Sequence, residues 1–103
     1  MELKDAYAVY INFDDDIRSD AEGFRIFAGE KAREEVRELV RTALKDMARH
    51  EKERRGIDIN VWIESAWGDV KVEDVINNDK YLDDFIYCGG SSFGNWDIEV
   101  SKS

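Results

Sequence analysis

At 103 residues, with 43% apolar and 12% aromatic side chains, the chain is sized for one domain and is too apolar for a disordered acidic tail. Its net charge of −9 is unevenly spread: residues 31–55 carry nine basic against six acidic side chains, net +3, which leaves −12 for the rest. An acidic body of this kind is repelled by nucleic acid and by anionic lipid, and is attracted to a basic protein surface.

No stretch approaches the roughly 18 apolar residues of a membrane span, and the start, Met1 to Tyr7, has neither the basic nor the apolar region of a leader peptide. Cys88 is the single cysteine, so no internal disulfide can form and a reducing compartment is implied. The expectation is a cytoplasmic protein without a cofactor.

In chain order, Tyr7, Val9, Ile11 and Phe13 alternate with Ala8, Tyr10 and Asn12, which predicts a strand with one buried face. Polar residues from Asp14 to Gly23 end it, and Phe24-Arg25-Ile26-Phe27 reads as a second short strand, antiparallel to the first. From Glu30 to Arg55 the apolar set Ala32, Val36, Leu39, Val40, Ala43, Leu44, Met47 and Ala48 recurs at spacings of three and four, the stripe of an amphipathic helix. Gly56 can supply its left-handed cap, and Arg54 and Arg55 suit its negative end. A helix of that length, roughly 39 Å at about 1.5 Å per residue, outruns a strand, so its last turn from Glu51 is expected to project beyond the sheet.

Ile57, Ile59, Val61 and Ile63 alternate with Asp58, Asn60, Trp62 and Glu64, predicting the central strand. Gly68-Asp69 is read as a turn into Val70-Lys71-Val72. Asn78 to Tyr87 places Leu82, Phe85 and Ile86 on one helical face, and Trp96, Ile98 and Val100 alternate with Asp97 and Glu99 in a last strand. The order is ββαβαβ, an α+β chain with one antiparallel or mixed sheet of four or five strands and both helices on one face.

Several patterns invite chemistry and fail on context. Gly90-Ser91-Ser92-Phe93-Gly94 matches the nucleophile elbow G-x-S-x-G, but that motif needs a following helix and a downstream histidine; here a strand follows and His50, the single histidine, lies upstream. The segment from Gly89 to Gly94 is therefore read as a flexible turn. Cys88 lacks an identifiable base. Asp14, Asp15, Asp16, Asp20 and Glu22 crowd one loop without the spacing of an EF-hand, and no His and Cys cluster suggests zinc; no metal site is expected. Arg33, Arg37, Arg41, Lys45 and Arg49 interleave with Glu34, Glu38 and Asp46, which reads as an ion-paired solvent face rather than a phosphate-binding ridge.

On one sheet, alternation gathers Tyr10, Asn12, Asp58, Asn60, Trp62, Glu64, Asp97 and Glu99 on the face away from the long helix. An RNA-reading sheet flanks its aromatics with Lys and Arg, whereas this one carries acids. The expected partner is a basic protein surface, a nucleic-acid-handling protein among the candidates, with no direct binding to nucleic acid or membrane. Tyr10 and Trp62 would be anchors, and Asp14, Asp15, Asp16, Asp58, Glu64, Asp97 and Glu99 the acidic surround. In size and charge, though in no motif, the chain is similar to small acidic inhibitors of phage and mobile elements (anti-restriction and anti-CRISPR proteins) and to immunity proteins that neutralise nuclease toxins. The alternatives are a homodimer whose sheet faces or edges pair, and a small enzyme or ligand-binding domain using the loop at Asp14 or the one at Gly89.

Overall fold

The computed structural model describes residues 6–14, 17–63, 68–93 and 96–102, with backbone alone at Trp62, Asp69 and Phe93. Along these residues run strands β1 (Ala6–Phe13) and β2 (Gly23–Ala28), helix α1 (Ala32–Arg55), strands β3 (Asn60–Ile63) and β4 (Gly68–Lys71), helices α2 (Val72–Asn77) and α3 (Asp79–Tyr87), and strands β5 (Gly90–Phe93) and β6 (Trp96–Lys102). The class is α+β. A four-stranded antiparallel sheet has the order β2-β1-β6-β5, and β3 and β4 form a separate two-stranded ribbon.

The sheet is two hairpins joined side by side. β1 pairs with β2 from Ala6↔Ala28 to Ile11↔Gly23 and, on its other edge, with β6 from Tyr7↔Lys102 to Phe13↔Trp96. The apolar alternation of β1 buries Tyr7, Val9, Ile11 and Phe13 on one side, and Trp96, Ile98 and Val100 of β6 join them. α1 covers this side, touching β1, β2 and β6. Its stripe of Val36, Val40, Ala43, Leu44 and Met47 is fully buried, each large side chain contributing about 1.5–3 kcal/mol relative to exposure. Gly56 ends the helix at φ 66°, its N–H donating to the Lys52 carbonyl at 2.9 Å.

The last turn of α1 is exposed from Lys52 to Arg55, but its first residue is not. Glu51, which opens the last turn, is only 2% exposed, because the chain after Gly56 returns along the helix and α2 packs against it. α2 is an element that periodicity does not reveal: it buries Val72 and Val75 in six residues, too few for a repeat to show. α3 begins where the Asn78 side chain accepts from the Lys80 N–H at 3.0 Å, an N-cap, and it buries Leu82, Phe85 and Ile86.

Three expectations are corrected. The segment from Ile57 to Ile63 is not the central strand: both edges of β1 are already taken by β2 and β6, and among the described residues β3 pairs only with β4. Gly68 and Asp69 are strand residues opposite Ile63 and Trp62, not a turn. Gly90–Phe93 is an edge strand on β6 rather than a flexible turn, because Ile98 and its neighbours supply a ladder that the small residues of β5 follow. Among the described residues no helix is long and apolar enough to cross a membrane.

Candidate functional site: the open face of the sheet

The strand registers assemble the face away from α1 in rows. In one row Phe24 of β2 stands beside Tyr10 of β1, then Glu99 of β6 and Gly90 of β5. The row on one side holds Ile26, Ala8 and Ser101, and the row on the other holds Asn12, Asp97 and Ser92. Directly opposed residues have Cβ atoms about 4.5–5.5 Å apart, so the rows are continuous surfaces. Phe24 is 63% exposed, Ile26 69% and Tyr10 39%. The face is thus divided: an apolar half over β2 and β1, and a polar, acidic half over β6 and β5.

On the acidic half Glu99 is exposed and Asp97 half-buried. The Asp97 Oδ1 atom is shielded from solvent and has no hydrogen-bond donor among the described residues. No Lys or Arg stands in these rows. Gly90 is required by the backbone beside them. Its φ is +91°, and a Cβ there would lie 1.9 Å from the Ile98 carbonyl oxygen.

Of the residues expected to form the site, the sheet brings together Tyr10, Asp97 and Glu99. Asp14 is exposed just beyond the end of β1. Asp58 is corrected: it precedes β3 and lines a cavity with Lys45, Arg49 and Lys52 of α1, on the helix side of the sheet. Trp62 belongs to the ribbon and not to this sheet; its side chain, with Glu64, Asp15 and Asp16, lies outside the described residues. The apolar half, Phe24 and Ile26, is not among the expected residues. Phe24, Ile26 and Phe27 are all apolar, so alternation alone does not set the phase of β2. Pairing does, since Phe27 faces Tyr7 on the covered side and thereby turns Phe24 and Ile26 outward.

The other candidate chemistries are engaged elsewhere. Ser92 lies on the open face and His50 on α1, with the sheet between them. Cys88 donates its S–H to the Phe85 carbonyl at 3.2 Å. In the acidic loop, Glu22 accepts from the Phe13 N–H at 2.9 Å, Ser19 donates to Asp46 at 2.6 Å, and Ile17 and Ala21 are buried anchors. Among the described residues no three His, Cys, Asp or Glu side chains converge to hold a metal ion.

Four of the five basic residues in the stripe of α1 are ion-paired, Lys45 being the exception among the described residues, and Arg33 and Arg37 find their partner on α3 rather than among the glutamates of their own helix. Arg37 grips Asp83 with two bonds of 2.6 Å, Arg33 reaches the same carboxylate at 3.1 Å, and Arg41 joins Asp79 and Glu38. The hydrogen bond from Arg37 holds the Asp83 carboxyl below its ordinary range and raises the guanidinium in turn; burial opposes both shifts. Comparison of the chain with protein-family models, with curated proteins and with solved structures finds no match in any of the three.

Proposed function

We propose that the chain is a non-catalytic protein-binding domain whose open sheet face docks on a basic protein surface, inhibiting a nucleic-acid-handling partner by occupying its basic site. The observation that carries this reading is the row Phe24, Tyr10, Glu99. An apolar patch rimmed by polar residues is the ordinary mark of an interaction site, and aromatic side chains such as Tyr are enriched among the anchors of such sites. The adjoining carboxylates, in a body of net −12 outside residues 31–55, would steer a cationic partner onto the patch.

The test combines capture and kinetics. A photo-reactive residue at position 26 should cross-link a partner from the native host, and the same residue at position 53, on the exposed part of α1, should not. Binding of that partner is then followed at two salt concentrations. Phe24→Ser with Ile26→Ser should speed dissociation, and Asp97→Asn with Glu99→Gln should slow association mainly at low salt. An acidic partner, or both variants binding like wild type, would sink the proposal.

A second reading has one observation behind it. β2 is an edge strand whose sequence, Gly23 to Ala28, carries Arg25 as its single charge, and unprotected edges pair with other strands. Sedimentation velocity separates the two readings: a dimer that Phe24→Ser with Ile26→Ser dissociates would mean that a second copy occupies this surface.

A further inference from the structure

On the helix side of the sheet lies a feature of the opposite charge. A cavity of about 380 Å³ opens between α1, residues 57–59 and α2, a size within the range of small-molecule sites. One wall is a single face of α1, where Lys45, Arg49 and Lys52 recur one and two turns apart. Lys71 stands across from them at the junction of β4 and α2. The lining between is apolar, with Ile59 and Ile76 half-buried and Ile57 still 45% exposed.

Four cations face two carboxylates here, Asp58 and Glu73, so the cavity is net positive in a chain of net −9. Lys45, Lys52 and Lys71 form no ion pair with any described residue. Arg33, Arg37 and Arg41, on the first half of the same helix, are all paired. The dipole of α1 accounts for a cation in its last turn, such as Lys52, but its influence fades before Lys45. Arg49 leans toward Asp46 at 3.1 Å and is the least available of the four. Uncompensated cations around an exposed apolar lining suit a ligand with both characters.

We propose that this cavity binds a small amphipathic organic anion, a carboxylate on an aliphatic chain, with the charge held by Lys45, Lys52 and Lys71 and the chain lying on Ile57, Ile59 and Ile76. The site is independent of the open sheet face, which lies on the opposite side of the sheet.

The experiment is a titration of the isotopically labelled protein with octanoate, followed by amide chemical shifts, with octanol and inorganic phosphate as parallel probes. Saturable shifts should gather on residues 45–59 and 71–77, and octanol and phosphate should each bind at least tenfold more weakly. Lys45→Gln with Lys52→Gln, both on exposed positions, should weaken octanoate at least tenfold with the remaining spectrum unchanged. Phe24→Ser with Ile26→Ser should bind octanoate like wild type. The proposal is overturned by any of four results: no saturable shift, octanol binding as well as octanoate, phosphate binding as well as octanoate, or shifts centred on Phe24 and Ile26. Undiminished binding by the lysine double variant overturns it too.

Discussion

The two faces of the sheet are built by the same strands and differ in what covers them. On the covered face Val9, Ile11 and Ile98 lose essentially all contact with water beneath Val36, Val40 and Leu44. On the open face Phe24 and Ile26 keep more than half of theirs. Covered apolar groups are explained by folding itself, since their burial is its main driving force. Exposed ones add nothing comparable to stability and are a liability for aggregation, and the proposed docking surface is built on them. Charge adds to the contrast: the open rows carry Asp97 and Glu99 and no cation, whereas the helix side mixes acids with cations that are paired or gathered around a cavity.

That contrast can be broken by substitution. Leu44→Ala, on the covered face, should lower stability by about 2–5 kcal/mol in a denaturant melt; a loss below about 1 kcal/mol would mean that α1 does not cover the sheet as described. Gly90→Ala, at the sheet edge, should cost about 1–3 kcal/mol from its positive φ alone, and more from the contact with the Ile98 carbonyl. Loss of hydrogen-exchange protection confined to β5 and β6 would locate that damage.

Asp83→Asn, within the helix layer, should cost about 1 kcal/mol at pH 7, the upper end for partly exposed ion pairs. Arg37 depresses the Asp83 carboxyl in the folded chain. Its contribution is therefore complete above the unfolded pKa near 3.9 and is lost as the pH falls through the lower folded value. Melts of the two proteins should converge as the pH is taken below about 4; a constant gap would refute the ion-pair assignment. Smallest of all, Phe24→Ser and Ile26→Ser should each leave stability within about 0.5 kcal/mol of wild type while weakening partner binding by about 2 kcal/mol or more. Thermal melts alongside binding isotherms would show whether the open face is outward-directed or structural.

Elements whose partners are local or whose alternation is clean are legible in the amino-acid sequence. β1 declares itself because Val9, Ile11 and Phe13 are apolar while Ala8, Tyr10 and Asn12 are small or polar. α1 is stated by its stripe over many turns. Ile57 to Ile63 alternates just as cleanly, yet the identity of its neighbour depends on which strand fills each edge of β1, and that is a long-range fact. β5 is hidden by Gly90, Ser91 and Ser92, residues with little strand preference, held in place by β6. The acidic half of the open face, Asp97 and Glu99 beside Tyr10, follows from alternation. The apolar half does not, because the phase of β2 is decided by its register on β1.

The joint between β1 and β6 governs how quickly this sheet can assemble. Each hairpin forms from neighbouring segments, but Tyr7 meets Lys102 only after nearly the whole chain has been brought round on itself. The length-dependent entropy of closing such a loop is about 4 kcal/mol, and contacts of that range slow folding. Until the joint closes, β1 and β6 each present a bare edge, so the interval before closure is when the chain is most open to pairing with strands other than its own.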